Sequence, residues 1–262
     1  MSETVTALRH SRLRLKLREL HHRIHLRLRS WLRRDPEMFA PHGIPVRMPA
    51  SVDPEVRYAL ARGWDYEAPE VRMIRGRLRA GMNVLELGGS LGIASAVIRE
   101  RIGPDAHHLI VEAVPELAEI CRMNASRGAV TGAVEVVNAT IDHSGKPIVR
   151  FVRGNSSLMG HVARGETGDF EVPTTTLATL ADRMPAGPYA LVCDIEGAEL
   201  GLVGCEAGAL SRVSMLIMEI HPRAFPGGEA DLGRLIATIT GLGLVPVASE
   251  ADVHCFVRPA VG

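Results

Sequence analysis

The sequence predicts a doubly wound α/β fold, a Rossmann-like, mostly parallel sheet with helices on both faces, preceded by a basic helical extension. Three observations carry this. From about residue 70 onward, short apolar runs alternate with helical patterns, the rhythm of βαβ units. The run 83–87 breaks into the turn Gly88-Gly89-Ser90-Leu91-Gly92 and then into a helix at Ile93, a device that brings backbone N–H groups close to a ligand. Twenty residues after Gly92, at the end of the next strand-like run, stands Glu112, placed to accept both hydroxyls of a ribose.

In chain order, Leu13, Leu17, Leu20, Ile24, Leu28 and Leu32 recur at spacings of four, three, four, four and four, which is one face of a helix. Leu15 and Leu26 fall off the stripe, Arg and His fill most other positions, and Asp35-Pro36 ends it. Residues 1–34 hold ten of the thirty Lys and Arg against two acids, Glu3 and Glu19. Residues 35–262 are left with twenty basic and twenty-eight acidic residues, a formal −8 beneath an overall zero. An acidic body with a cationic arm fits a small-molecule enzyme whose arm meets a membrane surface or a second copy, and no nucleic acid is expected. His10, His21, His22 and His25 belong to the helix surface.

Residues 35–64 carry Pro36, Pro41, Pro45, Pro49 and Pro54 and read as an irregular lead-in. The main domain is expected over 65–262. Within it, 70–78 is helical, 79–81 turns, and 83–87 is a buried strand. Strands at 109–111 and 134–137 flank a helix over 115–126, and a further strand occupies 190–195. The insert 148–172 has two strand-like pieces around a loop containing Asn155-Ser156-Ser157, a hairpin or flap whose loop either reaches toward substrate or is a plain polar turn, before a helix over 176–183. The last third gives a strand at 214–220, a helix at 231–242, and strands at 244–247 and 254–257. Those last two pair antiparallel, because the connection is too short for a crossover.

Cys121, Cys193, Cys205 and Cys255 are widely spaced without a CxxC pair, which favours neither a disulfide framework nor a zinc knuckle. No apolar run approaches the roughly 20 residues of a membrane span. A cytoplasmic protein, peripheral at a membrane if the arm directs it there, is the expectation.

The glycine turn alone suits both nicotinamide enzymes and methyltransferases. Here the loop is G-G-S-x-G rather than G-x-G-x-x-G, and Glu86 precedes it inside the strand. A carboxylate there favours the cationic amino-acid end of S-adenosylmethionine and repels a pyrophosphate. Asp194 falls where the fourth parallel strand ends, the edge at which open α/β sheets bind ligands. Glu219 and His221, two residues apart, share one face of the next strand. Methyl transfer to a hydroxyl asks for a base, so His221 is the first choice and Asp194 the second, with Glu196 and Glu219 orienting their neighbours. A divalent metal on Asp194, Glu219 and His221 lacks a tighter ligand signature, and none is expected. Glu196 and Glu199 also suit the start of a helix. Asn138 and Asp142 follow the third strand, at the edge where an adenine would lie.

Five segments, in order, resemble FkbM-type methyltransferases: VLELGGSLGIAS, then VEAVPELAEICRMNASRG with VEVVNATID after it, VPTTTLATLA, LVCDIEGAELGLVGCE and MLIMEIHP. Together they cover 66 to about 222. The run from Cys193 to Glu199 is similar to the family's lysine-led D-x-E-G-A-E run, with Val192 in place of the lysine and Pro115 shifted by one position. Tyr66 and Glu67 resemble its Tyr-Glu lead-in. The resemblance implies a class I methyltransferase fold, a seven-stranded sheet in the order 3-2-1-4-5-7-6 with one antiparallel strand. Its cofactor would be S-adenosylmethionine, held by Glu86, Gly88, Gly89, Ser90, Gly92 and Glu112 with Asn138, Asp142, Tyr66 and Glu67. The implied reaction is O-methylation of a sugar, glycolipid or polyketide-type small molecule. The alternatives are an NAD(P)-dependent oxidoreductase and a non-catalytic protein that binds an adenosyl cofactor or a membrane surface.

Overall fold

The computed structural model describes residues 2–32, 34–153, 160–163 and 167–259, with side chains from residue 17 onward. Asn155, Ser156 and Ser157 of the expected flap, and the side chains of His10, Leu13 and Leu15, lie outside the described residues. The chain forms two compact units, Met1–Tyr66 and Glu67–Gly262.

The first unit opens with α1 (Ser2–Leu32). The proline-rich stretch after it is ordered, which corrects the irregular lead-in expected over 35–64. Strands β1 (Met38–Phe39) and β2 (Val46–Arg47) pair antiparallel, and α2 (Pro54–Ala61) follows. Proline is compatible with order where no backbone N–H is required. Pro54 takes the first turn of α2, behind an Asp53 carboxylate that accepts from the Glu55 N–H at 2.7 Å. Phe39, Val46, Met48, Val52 and Leu60 are buried, and His22 of α1 stacks on Tyr58 of α2 with ring centroids 4.0 Å apart.

The second unit runs α3 (Ala68–Arg77), β3 (Val84–Leu87), α4 (Ile93–Ile102), β4 (His108–Glu112), α5 (Pro115–Ala125) and β5 (Val134–Asn138). An insert follows: β6 (Thr140–Ile141), β7 (Ile148–Arg153), β8 (Gly160–Val162) and β9 (Phe170–Thr175). The chain then continues through α6 (Leu177–Ala181), β10 (Tyr189–Cys193), α7 (Glu199–Cys205), β11 (Val213–Glu219), α8 (Glu229–Gly241), β12 (Val245–Glu250) and β13 (Val253–Val257).

Seven of these strands form one sheet in the order β12-β13-β11-β10-β3-β4-β5. The five from β11 to β5 are parallel, and β13 is antiparallel to both its neighbours. The insert makes a second sheet, β6-β9-β7-β8. Every residue of β3, β4 and β10 is buried, as a parallel strand covered on both faces requires. Alternation along them sorts the core. Leu85, Leu87, Leu109, Val111, Leu191 and Cys193 pack with residues of α6, α7 and α8. Ile110 turns to the opposite face with Ala118 and Cys121 of α5. Because the strands are parallel, the turn after β3, Glu112 of β4, Asp194 after β10 and residues 219–221 at the end of β11 and just past it all reach the same edge of the sheet.

Candidate active site

Past Leu87 the chain must turn under β10. Gly88 takes φ +94, and a Cβ on it would lie 1.8 Å from the Asp194 backbone oxygen, so only glycine fits this crossing. The Gly88 and Gly89 N–H groups both donate to the Val111 oxygen, at 2.9 and 3.1 Å, and the Gly92 N–H closes the turn on the Gly89 oxygen at 2.8 Å. Ser90 is held at φ 45, an uncommon conformation for a residue with a side chain. Its N–H donates to Glu112 Oε2 at 2.7 Å, and the Val114 N–H donates to Oε1 at 2.7 Å. Burial pushes the Glu112 carboxyl above its ordinary range while these two N–H groups pull it back down. A carboxylate offers about four lone-pair positions, more than the backbone donors fill, so it can accept further donors. The buried Ser90 Oγ has no hydrogen-bond partner among the described residues. An accepting carboxylate beside an orphaned hydroxyl, on a turn whose glycines leave no room for a Cβ, fits the ribose end of an adenosyl cofactor.

Other expected cofactor residues have partners elsewhere. Both Glu86 oxygens are engaged on the α5 side of the sheet: the Ser95 hydroxyl donates to one at 2.8 Å and His108 Nε2 to the other at 2.7 Å. Strand parity decides this, since Glu86 aligns with Ile110 and not with the Leu87 face. It corrects the expectation that Glu86 holds an ammonium group in the crevice. The Asn138 amide donates to the Glu112 and Ala113 oxygens at 2.8 and 2.9 Å, which braces the end of β4. The Asp142 carboxylate accepts from the Ser144 N–H in a tight turn, and it lines a separate cavity of about 760 Å³ with His143, Lys146, Thr175 and Glu206. Tyr66 closes the first unit with its ring edge-on to Trp64, centroids 5.6 Å apart. Glu67 opens the second unit at φ 51, ahead of α3.

Beside the glycine turn, the Asp194 N–H donates to the Leu87 oxygen at 2.9 Å. Glu196 and Gly197 then adopt φ 51 and φ 100, bending the chain so that Glu199 begins α7 fully buried. His221, just past β11, donates from Nδ1 to Glu199 Oε1 at 2.8 Å. Its Nε2 lies 3.6 Å from Asp194 Oδ1, 3.6 Å from Glu196 Oε2 and 3.9 Å from Glu219 Oε1. The four residues expected to share this edge thus meet around one imidazole nitrogen.

The charge balance is unusual. Burial alone would lower His221, but the Glu199 hydrogen bond and the charges of Asp194, Glu199 and Glu196 outweigh it and raise the group to about 9. Asp194 is pushed up to about 8, by burial first and then by Glu219, with His221 opposing. Glu219 is raised for the same leading reason. The carboxylates around His221 thus favour its protonated form, which bears against its place as first-choice base. Atoms of Asp194, Glu196 and His221 lie within 4.8 Å of one another, a spacing that also suits a divalent cation.

Two residues join this site without having been singled out. Glu199 lies in the D-x-E-G-A-E run, yet its sequence position showed only a helix start. Glu70 of α3 is buried and its carboxyl is raised well above the ordinary range, by burial first and then by Glu67, Asp194, Glu86 and Glu219. No hydrogen bond reaches Glu70 among the described residues, and no local sequence signal marks it, because an acid on a helix reads as solvent-facing.

Comparison with known proteins identifies the family. The family described as the methyltransferase FkbM domain matches residues 81–245, which is 165 of the 262. A protein-L-isoaspartate O-methyltransferase of Methanothrix thermoacetophila is 50% identical over 50 residues, 19% of this chain and 24% of that one. One from Methanopyrus kandleri is 35% identical over 81 residues, 30% and 36% of the two chains. The chain thus spans about a quarter to a third of the length of these curated relatives. Among solved structures, a TehB-like SAM-dependent methyltransferase of Corynebacterium glutamicum has a TM-score of 0.45 at 11% identity, covering 78% of this chain and 95% of that one. Aeropyrum pernix fibrillarin with natively bound S-adenosyl-L-methionine has a TM-score of 0.41 at 13% identity, covering 71% of each chain. The chain belongs to the FkbM methyltransferase domain family, with S-adenosylmethionine as its cofactor.

Proposed function

We propose that this protein methylates a hydroxyl oxygen of a small molecule, and that the Asp194–His221 centre receives the hydroxyl proton. One observation carries the proposal: Asp194, Glu196 and Glu219 converge on His221 Nε2 at the strand edge that also bears the Ser90–Glu112 turn. When bound, S-adenosylmethionine supplies a methyl carbon whose bond to sulfur breaks as the acceptor oxygen bonds to it, leaving S-adenosylhomocysteine.

The residues divide that work. Glu112 accepts from the ribose hydroxyls through the lone pairs that Ser90 and Val114 leave open. The cationic amino-acid end falls to Glu70, a buried carboxyl in need of a positive partner. A pyrophosphate placed against this many carboxylates would be repelled, which weakens the nicotinamide alternative. Glu199 holds the Nδ1–H of His221, so the Nε2 side stays turned to Asp194, Glu196 and Glu219. Asp194 takes the proton once a bound cation draws its carboxyl, raised to about 8 without one, into the carboxylate form. His221 stabilises that carboxylate rather than serving as the base. The acceptor class we propose is a sugar, glycolipid or polyketide-type hydroxyl, as the family resemblance suggests.

The test incubates the protein with methyl-labelled S-adenosylmethionine and fractionated polar and lipid extracts. Label in a product that survives mild alkali is expected, as for a methyl ether. Label released by alkali as methanol would mark a carboxylate acceptor and overturn the hydroxyl assignment. No transfer to any fraction despite tight cofactor binding would favour the non-catalytic alternative.

A further inference from the structure

Helix α1 has two faces. One is occupied within its own unit. His22 stacks on Tyr58, His25 meets the same ring edge-on at 5.1 Å, and the Arg29 guanidinium lies 4.2 Å from the centre of the Phe39 ring. Arg18 pairs with Glu55 at 2.9 Å. The other face carries large apolar side chains left open to solvent: Leu17 at 57% exposure, Leu20 at 53%, Ile24 at 49%, Leu28 at 56% and Trp31 at 84%. At 3.6 residues per turn these five fall within an arc of about 80° and form a stripe about 21 Å long. Arg23 and Arg27, both exposed, run along one border of it.

An apolar stripe left uncovered in water is unfavourable unless something covers it. The charge of the arm says what does. With ten Lys and Arg against two acids in residues 1–34, two copies of this helix laid together would set like charges against each other. A nucleic acid would satisfy the arginines but leave the leucines and the tryptophan wet. An anionic bilayer surface satisfies both, with phosphates for the arginines and the acyl boundary for the stripe. Trp31, at the helix end, has the amphipathic ring that prefers this interface. Among the described residues no helix is long and apolar enough to cross a membrane. We propose that α1 lies in the plane of an anionic lipid surface, with Leu17, Leu20, Ile24, Leu28 and Trp31 sunk among the headgroups and Arg23 and Arg27 on lipid phosphates. The proposal does not depend on the methyl-transfer assignment.

The test co-sediments the full chain with vesicles of phosphatidylglycerol in phosphatidylcholine and, separately, of phosphatidylcholine alone. Binding to the anionic vesicles that weakens as salt is added is expected. Replacing Arg23→Ala together with Arg27→Ala should weaken it about 30-fold, at roughly fivefold per basic residue. Ile24→Ser with Trp31→Ser, at solvent-exposed positions of α1, should weaken it more than about tenfold. S-adenosylhomocysteine affinity, unchanged in both double variants, shows that the second unit is intact. The proposal is overturned if the full chain ignores anionic vesicles, or if both double variants bind them as well as the parent. It is also overturned if the chain is a dimer that the Ile24 and Trp31 changes dissolve without any vesicle binding, or if it retains nucleic acid and not vesicles.

Discussion

Replacing Glu112 with glutamine isolates the ribose contact. The carboxylate is 7% exposed, and each oxygen holds one backbone N–H at 2.7 Å. Glutamine keeps the volume and one oxygen, but its amide nitrogen then faces a donor where an acceptor stood. One loop N–H, on Ser90 or Val114, loses its partner, and one charged acceptor is lost to the ribose. A hydrogen bond to a charged group is worth about 1.5 to 3 kcal/mol, so S-adenosylhomocysteine affinity should fall about 10- to 150-fold. Stability should fall by about 1 to 3 kcal/mol for the orphaned N–H. Calorimetry at a temperature where both proteins are folded gives the affinities. The same titration with 2′-deoxy and 3′-deoxy analogues makes the test specific. The parent should discriminate strongly against both analogues, and Glu112→Gln should lose most of that discrimination. Equal affinity for S-adenosylhomocysteine, or an undiminished deoxy penalty in the variant, would refute the ribose role.

Four further outcomes follow from the same geometry. Glu199→Gln removes the largest influence that raises His221, so the imidazole should titrate well below about 9 by NMR; an unmoved titration would separate Glu199 from the histidine. Asp194 near 8 and His221 near 9 both lie above their ordinary values of 3.8 and 6.5. The folded chain therefore binds more protons than the unfolded one between those limits, and stability without cofactor should fall as pH rises from 6 to 9. The urea midpoint would show it, and a midpoint that rises instead would contradict the assigned shifts. A sulfonium beside Asp194 favours its carboxylate, whereas the thioether of S-adenosylhomocysteine does not, so the preference for S-adenosylmethionine should grow up to about fivefold between pH 7 and 8; a constant affinity ratio would remove Asp194 from the sulfonium. Gly88→Ala places a methyl 1.8 Å from the Asp194 oxygen and should cost more than about 3 kcal/mol, measurable by urea denaturation, with near-parent stability refuting the described crossing.

Much of this molecule is legible in its residues because the signals are local. Apolar strands of four to seven residues alternating with helical patterns lead to a doubly wound sheet, since a parallel strand needs a crossover and a cover on both faces. The glycine turn and Glu112 are equally readable, because steric exclusion of a Cβ is a property of one residue and its immediate path. The proline-rich stretch was misleading for the opposite reason. Proline frequency signals irregularity only until an N-cap such as Asp53 and a helix start such as Pro54 give the ring a place without an N–H.

The sequence by itself determined the sheet class, the tight strand-to-helix turn and the acids that can reach the carboxyl edge, all set by short-range sterics and hydrophobic period. Only the tertiary structure decided what those acids face. Strand parity turned Glu86 toward His108, α3 brought Glu70 in as a buried carboxyl, and the bend through Glu196 and Gly197 put Glu199 on His221. That last contact decides the protonation of the centre, because a pKa is set by the sum of burial and neighbouring charge, and neither quantity exists until the chain has closed on itself.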